Sequence, residues 1–246
     1  MPAKIIFITG TDTGVGKTLL TALLLAHLRG SGCKALAMKP FCSGTVSGLS
    51  DVEVLRQLQA DELEPHQINP FFFPEGLAPL VAARRHNMKI PFSLVLQKIK
   101  EVAKRCDILL IEGAGGLLAP LGEGYTLADL IRKLGGMVIV TARNQLGTIN
   151  HTLLTVKFLQ KISSESGRKQ RVRPSVIQSL GIKVVLMNAA SSPELSSRSN
   201  GQILSELLAP VPVFTVPFLG RNPSRLRVVR NLAKKLKRTL AQITSR

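Results

Sequence analysis

Tryptophan is missing from this chain of 246 residues, and tyrosine occurs once, at Tyr125. Two of the aromatic residue types on which single-stranded nucleic acids stack are therefore nearly absent. Cysteine is scarce as well. Cys33, Cys42 and Cys106 are odd in number and show no C-x-x-C spacing, which argues against a disulfide framework or a zinc site and for a reducing cytosol. No apolar run approaches the ~18 residues that a spanning helix needs. The N-terminal MPAKIIFITG carries one early lysine and a six-residue apolar stretch, too short and wrongly flanked for a secretory signal. Acidic residues are also in short supply: 15 Asp and Glu face 33 Lys and Arg, giving a formal charge of +18 and a pI near 10.6.

What is present is ample apolar material. Hydrophobic residues make up 45% of the chain and the mean hydropathy is +0.20, enough for a buried core and too much for general disorder. Short apolar runs at Ile5–Thr9, Lys34–Met38, Asp107–Ile111, Met137–Thr141, Lys183–Met187 and Val211–Val216 read as strands. Helical spacing occupies Thr18–Leu28 and Phe92–Ala103 and recurs between the later strands. Apolar strands separated by helices predict one α/β domain over residues 1–246, a mainly parallel sheet with helices on both faces and right-handed crossovers. Two stretches break the rhythm. Residues 161–178 are polar and basic and read as a loop insertion or ragged helix end. Residues 221–246 carry nine basic residues and no acidic one, with Val229, Leu232, Leu236, Leu240 and Ile243 at the spacings of one amphipathic C-terminal helix.

The first strand runs into Gly10-Thr11-Asp12-Thr13-Gly14-Val15-Gly16-Lys17-Thr18, which opens a helix. A glycine-rich loop in that context is a phosphate cradle: its backbone N–H groups converge on an anion at a helix N-terminus. Lys17 would reach the β- and γ-phosphates of a nucleotide, and the Thr18 hydroxyl would ligate Mg²⁺. The spacing departs from the usual G-x₄-G-K-[ST], since Thr11 stands where the first glycine belongs and Gly10 sits one residue earlier.

Further motifs follow in order: Lys39-Pro40-Phe41-Cys42-Ser43-Gly44, the segment Asn69-Pro70 to Ala78-Pro79, Glu112-Gly113-Ala114-Gly115-Gly116, and Leu146-Gly147-Thr148-Ile149-Asn150-His151. Together with the loop they resemble the dethiobiotin synthetases. The resemblance runs from about Ile5 to Leu159 and thins afterwards, resuming weakly at Asn188 and Pro217-Phe218. It implies an ATP-dependent ring closure in biotin synthesis. The diamine 7,8-diaminopelargonic acid takes up CO₂ as a carbamate, ATP phosphorylates the carbamate, and the second amine closes the ureido ring with release of phosphate.

The resemblance also assigns residues. Asp12, Thr13, Gly14, Val15, Gly16, Lys17 and Thr18 bind ATP, and Asn188 reads the adenine. Thr18, Asp51 and Glu112 hold Mg²⁺. Taken alone, Asp51 reads as a helix N-terminal charge. Lys39 and Lys17 are catalytic with Thr13, the two lysines clamping the transferring phosphoryl group, although without the motif Lys39 reads as a surface lysine. Ser43, Gly115, Thr148, Ile149 and Asn150 contact the substrate, the last three from a neighbouring subunit, so that a homodimer is implied. Thr148 as a plain N-cap is an equally good local reading. Cys42 reads as a space filler, and His151 has no catalytic role.

Nothing in this chemistry asks for the charge. A solvated cationic face is the simplest reading; weak nucleic-acid attraction or binding of an anionic membrane by the basic tail are the others. The last two define an alternative function, a P-loop switch ATPase. Such proteins carry a second lysine near the start of the loop, where this chain has Gly10-Thr11-Asp12-Thr13, and they lack the K-P-x-x-S-G element. The sequence therefore favours the enzyme.

Overall fold

Six of the apolar runs become six parallel strands, in a computed structural model that describes residues 2–44, 51–168, 180–191, 194–220, 223 and 225–245. In chain order the first half holds β1 (Lys4–Gly10), α1 (Lys17–Gly30), β2 (Ala35–Met38), β3 (Phe41–Ser43), α2 (Asp51–Leu58), α3 (Pro65–Ile68), β4 (Phe71–Phe73), α4 (Pro79–Arg85) and α5 (Phe92–Ala103). The second half holds β5 (Ile108–Glu112), β6 (Pro120–Gly122), β7 (Tyr125–Thr126), α6 (Leu127–Leu134), β8 (Met137–Arg143), α7 (Thr148–Arg168), β9 (Gly181–Met187), α8 (Leu195–Leu208), β10 (Val213–Val216), α9 (Leu226–Lys235) and α10 (Lys237–Thr244).

The central sheet has the order β10-β9-β8-β1-β5-β2, every pair parallel. Successive side chains of a strand point to opposite faces. Ile6, Phe7 and Ile8 of β1 are all fully buried, so both faces of the sheet are covered. The chain leaves β1 toward β5 and β2 on one side and returns to β8, β9 and β10 on the other. β1 is thus the point at which strand order reverses, and the crevice outside the carboxyl ends of such strands is where ligands bind. Gly10, Met38, Glu112, Arg143 and Met187 end their strands at that edge.

Pro40 ends pairing in the central sheet, yet the chain pairs again at once: β3 and β4 form a separate parallel ribbon. β6 and β7 form an antiparallel one. Their strands of two or three residues are too short to leave a periodic signal in the sequence.

The basic tail is two helices, not one. The chain breaks at Leu236 between α9 and α10. Its apolar stripe is spent on the protein's own core, with Val229, Leu240 and Ile243 fully buried and Leu232 and Leu236 packed beside them. This cover explains why α1 is apolar on nearly every side, with Leu20, Leu23, Leu24 and Leu25 all buried. The last carbonyls of a helix lack intrahelical partners. In α10 two strand lysines supply them: Lys183 Nζ donates to the Gln242 and Ser245 carbonyls at 2.7 and 2.9 Å, and Lys4 Nζ donates to the Thr244 carbonyl at 3.0 Å. Cations at that end also complement the helix dipole. The basic stretch 161–178, expected to be a loop insertion or a ragged helix end, begins as helix, since α7 runs to Arg168. Its remainder lies outside the described residues.

Candidate active site

The loop between β1 and α1 needs backbone that only glycine adopts freely. Gly14 and Gly16 have φ of 67° and 98°, and Gly16 is the N-cap residue of α1. A side chain on Gly16 would also meet Met187 Cγ at 3.2 Å, which brings the end of β9 against the loop. Val15 is buried and pins the loop from below. The loop is held by Thr11 N–H donating to the Thr141 carbonyl and by the Asp12 carboxylate accepting from Thr13 N–H, at 3.0 and 2.6 Å. Lys17 Nζ donates to the Asp12 carbonyl at 2.7 Å, so its ammonium lies along the loop.

Beside the loop, four side chains from four parts of the chain meet. Thr18 Oγ1 donates toward Glu112 Oε1 at 2.6 Å and lies 3.1 Å from Asp51 Oδ2. Lys39 Nζ is 2.5 Å from Asp51 Oδ2, 3.0 Å from Glu112 Oε1 and 3.3 Å from Thr18 Oγ1. Each comes from a place the fold dictates: the first turn of α1, the residue after β2, the first turn of α2 and the last residue of β5. Glu112 is 1% exposed, while Asp51 keeps a 35% exposed side chain at the mouth. Lys39 is itself held by its backbone, its N–H donating to the Ile68 carbonyl and its carbonyl accepting from Asn69 Nδ2 at 2.9 and 2.6 Å.

The electrostatics differ for the two lysines. Burial alone would lower the pKa of Lys39, but the opposing carboxylates Glu112 and Asp51 outweigh it and hold the ammonium well above its usual range. Lys17 is pushed down to about 8, first by burial and then by the charge of Lys39, with Glu112 pulling the other way. Burial raises the Cys42 thiol, with Lys39 opposing it. A protonated thiol is no nucleophile, and Cys42 reads as packing.

Around this cluster Gly116 presses on the loop, where a side chain would meet the Gly10 and Thr11 carbonyls at 3.5 and 3.7 Å. Gly115 has φ 64° and faces Thr13 Cγ2 across 4.0 Å from where its Cβ would stand. The other residues singled out in the sequence lie apart. Ser43 is half-buried in β3, opposite Phe73. Thr148 is buried and starts α7, with Ile149 half-buried and Asn150 exposed beyond it. Among the described residues no hydrogen bond or ion pair joins Ser43, Thr148, Ile149 or Asn150 to the Thr18–Lys39 cluster.

Asn188 follows β9, and its Oδ1 accepts from Asn144 Nδ2 at 2.8 Å. Sequence reasoning missed Asn144. It is 6% exposed, also donates to the Ser197 carbonyl at 3.0 Å and accepts from Asn200 Nδ2 at 2.9 Å, and so fixes the direction of Asn188. Arg143 was missed too: its Nη2 donates to the Gly14 carbonyl at 2.8 Å, placing a guanidinium over the loop. The available signal was position, since both residues leave the carboxyl end of a strand beside β1.

Which proteins share this arrangement follows from comparison. The profile of a family described as an AAA domain matches residues 4–221. The ATP-dependent dethiobiotin synthetase BioD of Anaeromyxobacter sp. (strain Fw109-5) is 45% identical over 156 residues, 63% of this chain and 70% of that one. The protein of the same name from Bacillus licheniformis is 33% identical over 219 residues, 88% of this chain and 84% of that one. A plasmid partition protein from Borrelia burgdorferi bound to AMPPNP superposes with a TM-score of 0.59 at 14% identity, covering 98% of each chain, a likeness of fold alone. By identity sustained over most of a relative's length, the chain belongs to the ATP-dependent dethiobiotin synthetase family.

Proposed function

We propose that this protein closes the ureido ring of dethiobiotin from 7,8-diaminopelargonic acid, CO₂ and ATP. One observation carries the reading: a lysine delivered by the end of β2, not by the start of the phosphate loop, stands within 3.3 Å of the Thr18 hydroxyl and between two carboxylates. In the sequence, that lysine is the first residue of the motif on which a phosphoryl-accepting carbamate would depend. The switch-ATPase alternative has its lysine within the loop, and its membrane-binding form requires an apolar helix face that α9 and α10 have already buried.

The chemistry balances without a covalent enzyme intermediate. One amine of the diamine adds to CO₂ and loses a proton to give a carbamate. A carbamate oxygen attacks the γ-phosphorus, breaking its bond to the bridging oxygen and releasing ADP. The second amine then attacks the carbonyl carbon and loses a proton to solvent, the ring closes, and phosphate departs with the carbonyl–oxygen bond broken. Negative charge is present on the carbamate and spreads over the transferring group. Lys17 and Lys39 face it with fixed positive charge in a partly dehydrated site, where such charge is worth most. The loop amides and Gly115–Gly116 orient the reactants, and positioning supplies the remainder.

Mg²⁺ fits the donor set. Thr18 Oγ1, Asp51 and Glu112 are hard oxygen ligands, and Glu112 Oε2 is buried without a hydrogen-bond partner, as an oxygen reserved for a cation would be. When bound, Mg²⁺ would neutralise the β- and γ-phosphate oxygens. Asn188, directed by Asn144, is our candidate for the adenine. Thr148, Ile149 and Asn150 serve the substrate carboxylate from a second copy. In support of a homodimer, Leu146 and Leu154 on either side of them are 81% and 62% exposed, an apolar pair that association would cover. The three free cysteines suit a cytoplasmic location, and no helix among the described residues is long and apolar enough to cross a membrane.

The test is phosphate release from ATP with Mg²⁺ and bicarbonate, with and without the diamine, the product identified by mass. Diamine-dependent release with a dethiobiotin mass is expected. Release indifferent to the diamine and raised by duplex DNA or anionic vesicles would replace this reading with the switch ATPase.

A further inference from the structure

A cavity of about 480 Å³ opens at the end of α1 remote from the phosphate loop, bounded by that helix, the end of α2 and the tail helices. With 14 residues in α1, the two ends stand roughly 21 Å apart. The floor is apolar, made by Ala26, Leu58 and Ala233. The wall carries Arg230, Lys234 and Lys237. Arg230 and Lys234 stand one turn apart on α9, and Lys237 joins them in the lining from the start of α10, next to the buried Val229–Ala233 seam.

None of the three has a carboxylate within ion-pair distance among the described residues. The acids that follow α2 are engaged elsewhere, Glu62 with Arg29 and Asp61 with Arg56, at 2.7 and 2.9 Å. His27 also lines the cavity at 9% exposure, and burial together with the charge of Lys237 lowers its pKa. Positive potential is therefore concentrated in a concave site.

Neutralising helix ends does not account for it. The His27, Leu28 and Arg29 carbonyls in the last turn of α1 are satisfied by the N–H groups of Ser31, Gly32 and Cys33, and Arg29 itself stands in that turn. Lys234 complements the end of α9, but Lys237 is the first residue of α10, whose first turn holds no acid. A cation at a helix N-terminus opposes the dipole. An anion in the cavity would relieve that repulsion and the like-charge pair Arg230–Lys234 together.

We propose that this cavity is a second anion site, separate from the phosphate loop, that binds a small phosphate-rich ligand of the inorganic or nucleoside polyphosphate class through Arg230, Lys234 and Lys237. Its volume lies in the range of small-ligand pockets, roughly 300–1,000 Å³. An extended nucleic acid suits it less, because Arg225, Arg227 and Lys235 lie outside the lining and no Phe, Tyr or Trp lines it. A bilayer suits it least, because the apolar seam of the tail is already buried.

Calorimetric titration of the full chain with inorganic tripolyphosphate tests the assignment. Two sites are expected in the wild type. The triple substitution Arg230→Gln, Lys234→Gln, Lys237→Gln should weaken one of them at least tenfold and leave ATP turnover unchanged. Ser31→Trp, at the exposed rim, should block the same site by volume with every charge retained, which keeps the test decisive if the triple variant folds poorly. Gly16→Ala should retain the cavity site and lose the other. In that background, equal affinity for tripolyphosphate and ATP assigns recognition to the phosphates, and tighter ATP binding adds the nucleoside. A single wild-type site abolished by Gly16→Ala would overturn the proposal, as would two sites persisting in both cavity variants. So would loss of duplex DNA or anionic-vesicle binding in the triple variant with its tripolyphosphate titration unaltered.

Discussion

Lys39 has two jobs in this structure, and they can be separated. Its ammonium sits 3.0 Å from Glu112 Oε1, and Glu112 is 1% exposed. At an effective dielectric constant of about 20, that attraction is roughly 5–6 kcal/mol, much of it offset by the cost of taking both charges out of water. Lys39→Met leaves Glu112 as a buried carboxylate without its ion-pair partner, Lys17 acting on it only from a greater distance. Breaking a buried pair in this way costs about 3–5 kcal/mol. The lower end applies here, because Asp51, the other partner, is 35% exposed and screened by solvent. For a chain of this size about 3 kcal/mol lowers Tm by roughly 6–12 °C. Adding Glu112→Gln removes the stranded charge, and the double variant should recover to within about 1 kcal/mol of the wild type. Turnover should not recover. Both variants lack the cation aimed at the transferring phosphoryl group and should stay about 10²–10³-fold down. Thermal and urea denaturation in chelator, without nucleotide, give the stability arm; diamine-dependent phosphate release gives the other. A Lys39→Met protein melting within about 2 °C of the wild type would refute the electrostatic reasoning, and so would a double variant no more stable than the single one.

Four other outcomes are expected. Gly16→Ala forces an L-residue into φ 98° against Met187, which should cost about 1–3 kcal/mol and weaken ATP binding at least tenfold; unchanged affinity by nucleotide titration would remove the loop from the site. Asn144→Ala frees Asn188 from its orienting bond and should raise KM for ATP several-fold with kcat nearly constant, whereas equal losses in both would point to a different role. Burial raises the Tyr125 phenol from about 10 to about 12 in the folded protein, so its contribution to stability is complete below pH 10 and falls as the pH climbs toward 12. As the single tyrosine in a chain without tryptophan, it reports its own titration through phenolate absorbance, and a native midpoint near 10 would contradict the burial. Truncation after Gly220 uncovers α1 by deleting Val229, Leu240 and Ile243, each fully buried and worth roughly 1.5–3 kcal/mol. That loss is comparable with the whole stability of a domain, so the product should fail to melt cooperatively; a soluble protein with a near-native Tm would show the tail to be dispensable.

The sequence determined what depends on local pattern. Short, largely apolar runs of four to seven residues, such as those of β1 and β9, fit strands buried on both faces, and the alternation with helices points to a parallel sheet. The glycines and Lys17-Thr18 between a strand and a helix mark a phosphate cradle by the same local logic, because turn, amide convergence and helix start lie within nine residues. Tertiary structure alone decided which distant residues meet. Lys39, Asp51 and Glu112 lie 21, 33 and 94 positions from Thr18, and their convergence depends on strand order, with β5 placed between β1 and β2. Asn144 beside Asn188 is the same kind of fact, produced by β8 and β9 running side by side. The tail shows the converse. Its stripe was plain in the sequence, but an amphipathic helix fits a membrane, a partner or its own core equally well. Only the apolar face of α1 that the tail covers, and the lysines of β1 and β9 that bond the carbonyls of α10, decided that it folds back on itself.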